Sequence, residues 1–197
     1  MNTNTILQWI IIAMIIIIVY KLYHESDIIN LKCIISDVNG KRYCVRDRHK
    51  LHEAADKLAT TADNMQILVD YVANKYPDRN NCIRLKENFD PKTIQETLPT
   101  SELTAYSENK GEKLAFCLNK KKDNKDGLID NNTLMFVAIH ELAHVATKSV
   151  GHTEEFWENF KFLLHNAEAI NIYTPINYEK KPESYCGMDI THSPYYD

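Results

Sequence analysis

The sequence predicts a mixed α+β domain over residues 25–197, preceded by one apolar helix in residues 1–24 that crosses a membrane. Residues 6–23 are almost entirely apolar, short β-prone runs follow them, and three later segments carry apolar residues at helical spacing. A hydrophobic content of 44% supports a single core in a chain of 197 residues. One domain with an appendage is therefore expected.

The segment Ile6–Tyr20 has Gln8 as its one clearly polar side chain. A helix extended to Tyr23 is about 27 Å long, at the lower end of the length that spans a bilayer. A signal peptide would carry basic residues before the apolar run and small residues at a cleavage site, and this chain has neither. We expect residues 6–23 to anchor the chain in the bilayer. A signal peptide is the main alternative, and a buried core helix is less favoured.

Basic residues follow the apolar run, and none precedes it. They are Lys21, Lys32, Lys41 and Arg42. The positive-inside rule then predicts a single-pass protein whose C-terminal domain lies in the cytoplasm.

A formal net charge of −4 argues against nucleic acid as a partner. The basic run Lys120–Lys122, with Lys125, is diluted by the acidic residues Asp123, Asp126 and Asp130. This run is predicted to be a solvated loop and not a binding patch.

The five cysteines are too scattered for a zinc ribbon or finger, because no Cys-x-x-Cys occurs. Their odd number does not suit a complete disulfide framework. Cys33 and Cys44 flank a predicted hairpin and can pair, but a reduced, buried state fits the same spacing. The cysteines therefore leave the compartment open.

The hairpin is predicted from the β-prone runs Ile34–Val38 and Arg42–Val45 around the turn signal Asn39-Gly40. A long helix follows and ends at Pro77. Its apolar stripe is Leu51, Ala55, Leu58, Ala62, Met65, Val69, Val72 and Tyr76. The stripe is expected to pack on its own domain, with a coiled-coil partner as the alternative.

Residues 78–110 are polar and are predicted to form loops and short helices, and Lys113–Asn119 is predicted to be a strand. A strongly apolar helix is expected over Leu134–Lys148, with its cap among residues 130–133 and its exit at Gly151. A further helix over Glu154–Ile170 is expected to bury Phe156, Trp157, Phe160, Leu163, Leu164 and Ala167. The tail beyond Ile172 is predicted to be ordered but irregular and to wrap around the domain.

The apolar helix contains His140-Glu141-Leu142-Ala143-His144, an HExxH pattern. Residues four apart share a helix face, so both imidazoles can bind one metal ion. Zn²⁺ polarises a carbonyl and activates its bound water, and Glu141 is placed to take that water's proton as general base. Three ionisable groups inside an apolar helix point to a use beyond packing. The alternative is two histidines that hydrogen-bond a neighbouring loop.

A catalytic zinc needs a third protein ligand and an open position. His152 is the best candidate, because Gly151 lets the chain turn back beside the HExxH helix. Glu155 is the alternative ligand, although Glu154 and Glu155 are better explained by favourable interaction with a helix N-terminus. Two further histidines, His165 and His192, are expected to be ordinary surface or core residues.

The stretch Phe136–Trp157 resembles the zinc-site segment of the WLM and SprT-like metallopeptidases, which follow HExxH with Gly/Asn-His, a polar spacer and Phe or Phe-Trp. The resemblance implies a zincin-like domain with one zinc ion on His140, His144 and His152, and Glu141 as catalytic base. His152 lies further from His144 than is usual in WLM proteins. More widely, the region 38–194 is similar to small membrane-anchored metallopeptidases of large DNA viruses, which implies a viral or host membrane. The segments that carry this likeness are NGKRYCV, NTLMFVAIHELAH, GHTEEFWENFKFLL and YCGM.

The resemblance further implies that Lys113–Asn119 is the edge strand that aligns the substrate backbone. An oxyanion-stabilising side chain is expected among Tyr106, Tyr173, Tyr178, Tyr185 and His192. The expected function is cleavage of a protein or peptide substrate by a membrane-tethered zinc peptidase. DNA–protein crosslinks, the substrates of some relatives, are not expected because of the anchor and the acidic charge.

Two alternatives stay open. The same site can hydrolyse another amide bond. A non-enzymatic virion or host-interaction protein can instead hold a structural zinc, which Cys117 or Cys186 near the histidines would favour.

Overall fold

A computed structural model describes residues 3–24, 26, 30–121 and 127–197. Most of the predicted basic loop, including Lys122 and Lys125, lies outside the described residues. Helix α1 spans Thr3–His24, and its large apolar side chains are exposed. By length and composition, Thr5–Tyr23 is sufficient to cross a membrane, a property that signal sequences share.

The predicted hairpin is confirmed. Strands β1 (Leu31–Ile35) and β2 (Arg42–Arg46) pair antiparallel, with Cys33 opposite Cys44 in a disulfide. Gly40 occupies the turn with φ 69°, a backbone conformation that glycine adopts without steric cost. Of the two states that the spacing allowed for these cysteines, the structure has the paired one.

Helix α2 spans Leu51–Lys75, and the stripe between Ala55 and Val72 is buried in the core of its own domain. This confirms the packing that was preferred over a coiled-coil partner. The ring of Tyr76, just beyond the helix, lies edge-on to Phe162 at 5.1 Å.

The polar segment 78–110 contains more regular structure than predicted. It forms helix α3 (Asn80–Asn88) and strands β3 (Ile94–Glu96) and β4 (Ala105–Glu108). Strand β5 (Lys113–Phe116) lies between them, parallel to β3 and antiparallel to β4. The prediction that Lys113–Asn119 is the edge strand is therefore wrong. Strands β3 and β4 are the two edges of this sheet, and β5 is central because it is the apolar strand that the core covers.

Helix α4 (Asn131–Ala146) begins at Asp130, whose carboxylate accepts a hydrogen bond from the backbone N–H of Thr133. Helix α5 (Glu154–Ala169) is capped in the same way by Thr153. The two helices pack together through buried aromatic rings. Trp157 is an exception to the predicted burial, since it is 37% exposed at the start of α5.

The tail holds a second hairpin, β6 (Glu183–Tyr185) with β7 (Met188–Ile190). The disulfide Cys117–Cys186 joins it to the chain just after β5. The N–H of Cys186 also donates to the carbonyl of Asn119 at 2.9 Å. The described residues thus form a mixed α+β structure with small sheets, as predicted, and the tail is more regular than the predicted irregular wrap.

Candidate metal and catalytic site

Three histidines converge at the end of α4. His140 and His144 lie one turn apart on the helix, and His152 lies in the loop 147–153 that follows it. The Nε2 atom of His152 is 3.1 Å from that of His140 and 3.2 Å from that of His144. Among the described residues, these three form the group of side chains that could hold a metal ion.

Local sequence explains why the loop returns to the helix. Gly151 has φ 84°, which a residue with a Cβ adopts only under strain. At the end of α4, the hydroxyl of Thr147 donates to the carbonyl of Ala143 at 2.7 Å and accepts from the Asn159 amide at 2.9 Å. Asn159 in turn accepts from Asn81 at 2.7 Å. This buried chain of hydrogen bonds fixes the point at which the loop begins.

Phe156 packs against all three imidazoles. Its ring centroid lies 4.9 Å from that of His140, 4.3 Å from His144 and 4.6 Å from His152, and the side chain is fully buried. The sequence predicted that Phe156 is buried but not that it contacts the three imidazoles. Its position directly after the polar spacer that follows His152 was the signal for this second role.

Lys110 is a residue of the site that the sequence did not indicate. Its ammonium donates to the carbonyls of His144, Thr147 and Ser149 at 3.2, 2.8 and 2.5 Å. A cation at this place satisfies carbonyls that the end of a helix leaves without intrahelical partners. Lys110 therefore holds the loop against α4 from the side of the sheet.

Glu155 holds the same loop from the other side. Its carboxylate accepts from the backbone N–H groups of Lys148 and Ser149 at 3.2 and 3.3 Å, and from Arg84 at 3.1 Å. The bond from the Lys148 N–H holds the pKa of Glu155 below its usual value. These contacts favour a loop-supporting role for Glu155 over the alternative role of metal ligand.

The two further histidines considered from the sequence, His165 and His192, do not join the cluster. The ring of His165 contacts that of Tyr195 in a tilted arrangement, with the centroids 4.3 Å apart. The imidazole of His192 lies 3.5 Å from Glu179 and 3.3 Å from Asp197, beside a pocket that reaches the site.

The electrostatics of the cluster favour neutral imidazoles. Burial, together with repulsion from His144 and His152, lowers the pKa of His140 to about 3. Burial, with smaller contributions from His152 and Lys110, lowers the pKa of His144 to about 4. Neutral imidazole is the form that binds metal ions.

Glu141 is 4% exposed, and its Oε2 atom has no hydrogen-bond partner in the described part of the chain. Burial raises the pKa of this carboxyl to about 8. A buried polar atom without a partner is costly, so it calls for an explanation such as a ligand or a catalytic role.

Two recesses open on either side of His140 and Glu141. The first, which we call the apolar pocket, has a volume of about 280 Å³. Its apolar lining is Phe136, Val137, Trp157, Phe160, Met188 and Ile190. The second, the polar groove, runs past Tyr106, Ser107, Lys110, His144 and His152. Both recesses include Ala105, the first residue of β4, and the strand continues along the polar groove through Tyr106 and Ser107.

The five candidate oxyanion stabilisers fall into a buried group and a group that borders the recesses. Tyr173, Tyr178 and Tyr185 are buried. The Tyr185 hydroxyl accepts from the Cys117 N–H and donates to the Thr104 carbonyl, both at 3.1 Å. Tyr106 and His192 border the polar groove and the apolar pocket respectively.

The donor set suits zinc. Tetrahedral zinc with Zn–N bonds of about 2.0–2.1 Å sets ligand nitrogens roughly 3.3 Å apart. The Nε2 atom of His152 lies 3.1 and 3.2 Å from those of His140 and His144. Cys117 and Cys186 are bonded to each other, so neither thiolate is free to complete a four-ligand site.

Comparison with known proteins decides the family. The WLM domain matches residues 50–194, which include α4, the loop and α5. The chain belongs to the WLM family. This WLM protein is 34% identical over 191 residues to an uncharacterized protein of Acanthamoeba polyphaga mimivirus, covering 95% of this chain and 93% of the relative.

Shorter matches link the WLM protein to two other viruses. It is 39% identical over 72 residues to an uncharacterized protein of Invertebrate iridescent virus 6, covering 36% of this chain and 38% of that protein. It is 44% identical over 61 residues to one of Invertebrate iridescent virus 3, covering 30% and 36%. No solved structure matches. The predicted likeness to WLM proteins and to proteins of large DNA viruses is confirmed, which places the chain in a metallopeptidase-like family.

Proposed function

We propose that this chain is a membrane-anchored zinc metallopeptidase with a zincin-like domain, in which His140, His144 and His152 hold one zinc ion and Glu141 is the general base. One observation carries the proposal: three imidazole nitrogens converge beside a buried carboxylate oxygen that has no partner among the described residues. Both features are costly in a structural core and useful in a hydrolase.

The proposed division of labour follows from these side chains. Zinc, when bound, polarises a substrate carbonyl and lowers the pKa of water. Glu141 accepts a proton from the attacking water and delivers it to the leaving amine. Hydroxide oxygen bonds to the carbonyl carbon as the C–N bond breaks, so one water yields a carboxylic acid and an amine. The raised pKa of Glu141 suits a group that takes and returns a proton near neutral pH.

Strand β4 favours a peptide over another amide as substrate. It lies at the edge of its sheet, and in the described residues it pairs only with β5. An extended peptide can add to such an edge through backbone hydrogen bonds. The pairing of Cys117 with Cys186 weighs against the structural-zinc alternative, which drew on those thiols.

Metal removal tests the proposal. Purified protein in detergent is expected to cleave members of a broad peptide library, to lose this activity after dialysis against a chelator, and to recover it when zinc is added back. Cleavage would be followed by mass spectrometry and zinc by elemental analysis. Full cleavage by the metal-free protein would contradict the proposed role of zinc.

We also propose that α1 is the membrane anchor. Full-length protein is expected to stay with the membrane pellet after alkaline carbonate extraction, because α1 is long and apolar on every side. A version that begins at residue 25 is expected in the supernatant. A soluble mature chain produced from the full-length protein by cleavage after residue 20 would instead identify α1 as a signal peptide.

The side of the membrane is a separate question, on which two features disagree. The few basic residues after α1 favour the cytoplasm, whereas two disulfides are typical of an oxidising compartment. We propose that the domain lies on the oxidising side of the membrane, because both disulfides join folded elements of the domain. Cys82 is then the one cysteine of the five that alkylates in denatured, unreduced protein.

A further inference from the structure

The apolar pocket has walls from three elements. Helices α4 and α5 supply the buried side chains of Phe136 and Phe160, whose centroids are 5.1 Å apart. The β6–β7 hairpin supplies the opposite wall, where Met188 is 51% exposed. Trp157 borders the pocket and is also partly exposed. Apolar walls around an open recess mark a place where an apolar ligand group gains free energy by leaving water.

Among the described residues, the lining of the pocket leaves no countercharge free for a charged ligand beyond the catalytic pair. Apart from His140 and Glu141, its titratable lining groups are Tyr185 and His192. Tyr185 is engaged with backbone groups, and the imidazole of His192 faces Glu179 and Asp197. A charged side chain entering here would lose hydration without gaining a countercharge, which is unfavourable.

The pocket has room for one large side chain. Its volume of about 280 Å³ is just below the range of roughly 300–1,000 Å³ that holds whole small-molecule ligands. The polar groove continues the cleft on the far side of His140 and Glu141, with room for the remaining length of a peptide. A peptide lying across both recesses would therefore place one residue in the apolar pocket.

Strand β4 sets the direction of that peptide. The strand starts at Ala105 beside the apolar pocket and runs towards the polar groove, which Tyr106, Ser107 and Asn109 line. Antiparallel pairing is the more stable arrangement for an added strand. A peptide antiparallel to β4 runs from the groove to the pocket, so the residue on the carboxyl side of the scissile bond meets the pocket.

We propose that the apolar pocket selects a large apolar side chain, such as that of leucine, methionine or phenylalanine, at the residue that follows the scissile bond. This inference rests on the proposed peptidase function and adds the substrate class. Met188 and Trp157 are then specificity-determining residues.

Mapping of cleavage sites tests the preference. Peptides that differ only in the residue after the scissile bond are expected to be cleaved about tenfold faster or more when it is leucine or phenylalanine than when it is aspartate. Equal rates, or a preference that depends on the residue before the bond, would overturn the proposal.

A matched pair of variants assigns the preference to the pocket. Met188→Glu is expected to lower cleavage before leucine about tenfold and to raise cleavage before lysine, with zinc content unchanged. Ile67→Glu is the control, since Ile67 is also 51% exposed but lies on α2, outside both recesses. An identical cleavage profile for Met188→Glu and wild type would contradict the assignment.

A binding measurement separates the pocket from the chemistry. The chain has two tryptophans, so Trp9→Phe leaves Trp157, at the pocket, as the sole tryptophan, which is excited selectively over the tyrosines. Phenylalanyl-glycinamide is expected to shift its emission at concentrations about tenfold lower than aspartyl-glycinamide. Preferential binding without any peptide cleavage would refute the peptidase function but support an apolar binding pocket. Cleavage without preferential binding would support the peptidase function and refute the proposed role of the pocket.

Discussion

Glu141→Gln is expected to lower the rate of peptide hydrolysis by about 10²–10⁴-fold while the protein keeps its zinc and its fold. Glutamine preserves the size of the side chain and removes the base. The carboxyl is buried and its Oε2 atom has no partner among the described residues, so an uncharged amide adds no desolvation cost. Turnover of a cleavable peptide, zinc content and thermal unfolding would be measured on both proteins.

Glu158→Gln is the control for that variant, because Glu158 is exposed on α5. It is expected to behave as wild type in all three measurements. If Glu141→Gln cleaves as fast as wild type, the assigned base is wrong. If neither protein cleaves a broad peptide library and both hold zinc in a four-ligand site, the results favour a structural zinc over a catalytic one.

His152→Ala is expected to weaken zinc binding by at least about 100-fold. Losing a residue that merely supports a ligand already costs roughly 10–100-fold, and His152 lies within 3.2 Å of both other imidazoles. Competition with a chromophoric chelator would give the affinity. The fold is expected to survive, because His152 is exposed and lies in a loop.

His165→Ala is the matched histidine control, since His165 contacts Tyr195 and not the cluster. It is expected to leave zinc affinity unchanged. Equal affinity in His152→Ala and wild type would show that the third ligand lies elsewhere. Glu155 would then be tested next, although its carboxylate is already bonded to the loop backbone.

The parts of the site that follow from local geometry could be predicted from sequence. His140 and His144 share a helix face because of their spacing, and Gly151 indicated the turn that brings His152 back. Lys110 could not be predicted in this way. Its bonds to three carbonyls depend on where the β4–β5 loop lies in the tertiary fold.

The strands also divide into those that could be predicted from local sequence and those that could not. The hairpin β1–β2 was predictable, because a turn signal joins strands that are adjacent in the chain. Strands β3 and β4 were missed because each is only three or four residues long and has little apolar alternation. Their pairing with β5, one on each side, makes β5 the central strand. Tertiary packing fixes that order, and local propensity does not.

The short connection between α1 and the domain limits where substrates can be found. Helix α1 ends at His24 and β1 begins at Leu31. At 3.3–3.6 Å per residue, the chain between them reaches about 25 Å at most. With α1 in the bilayer, as proposed, the whole domain stays tethered at the membrane surface. Encounters would then depend on the density of substrate per area of membrane, and a lipid-anchored peptide would be cut faster than the same peptide free in solution.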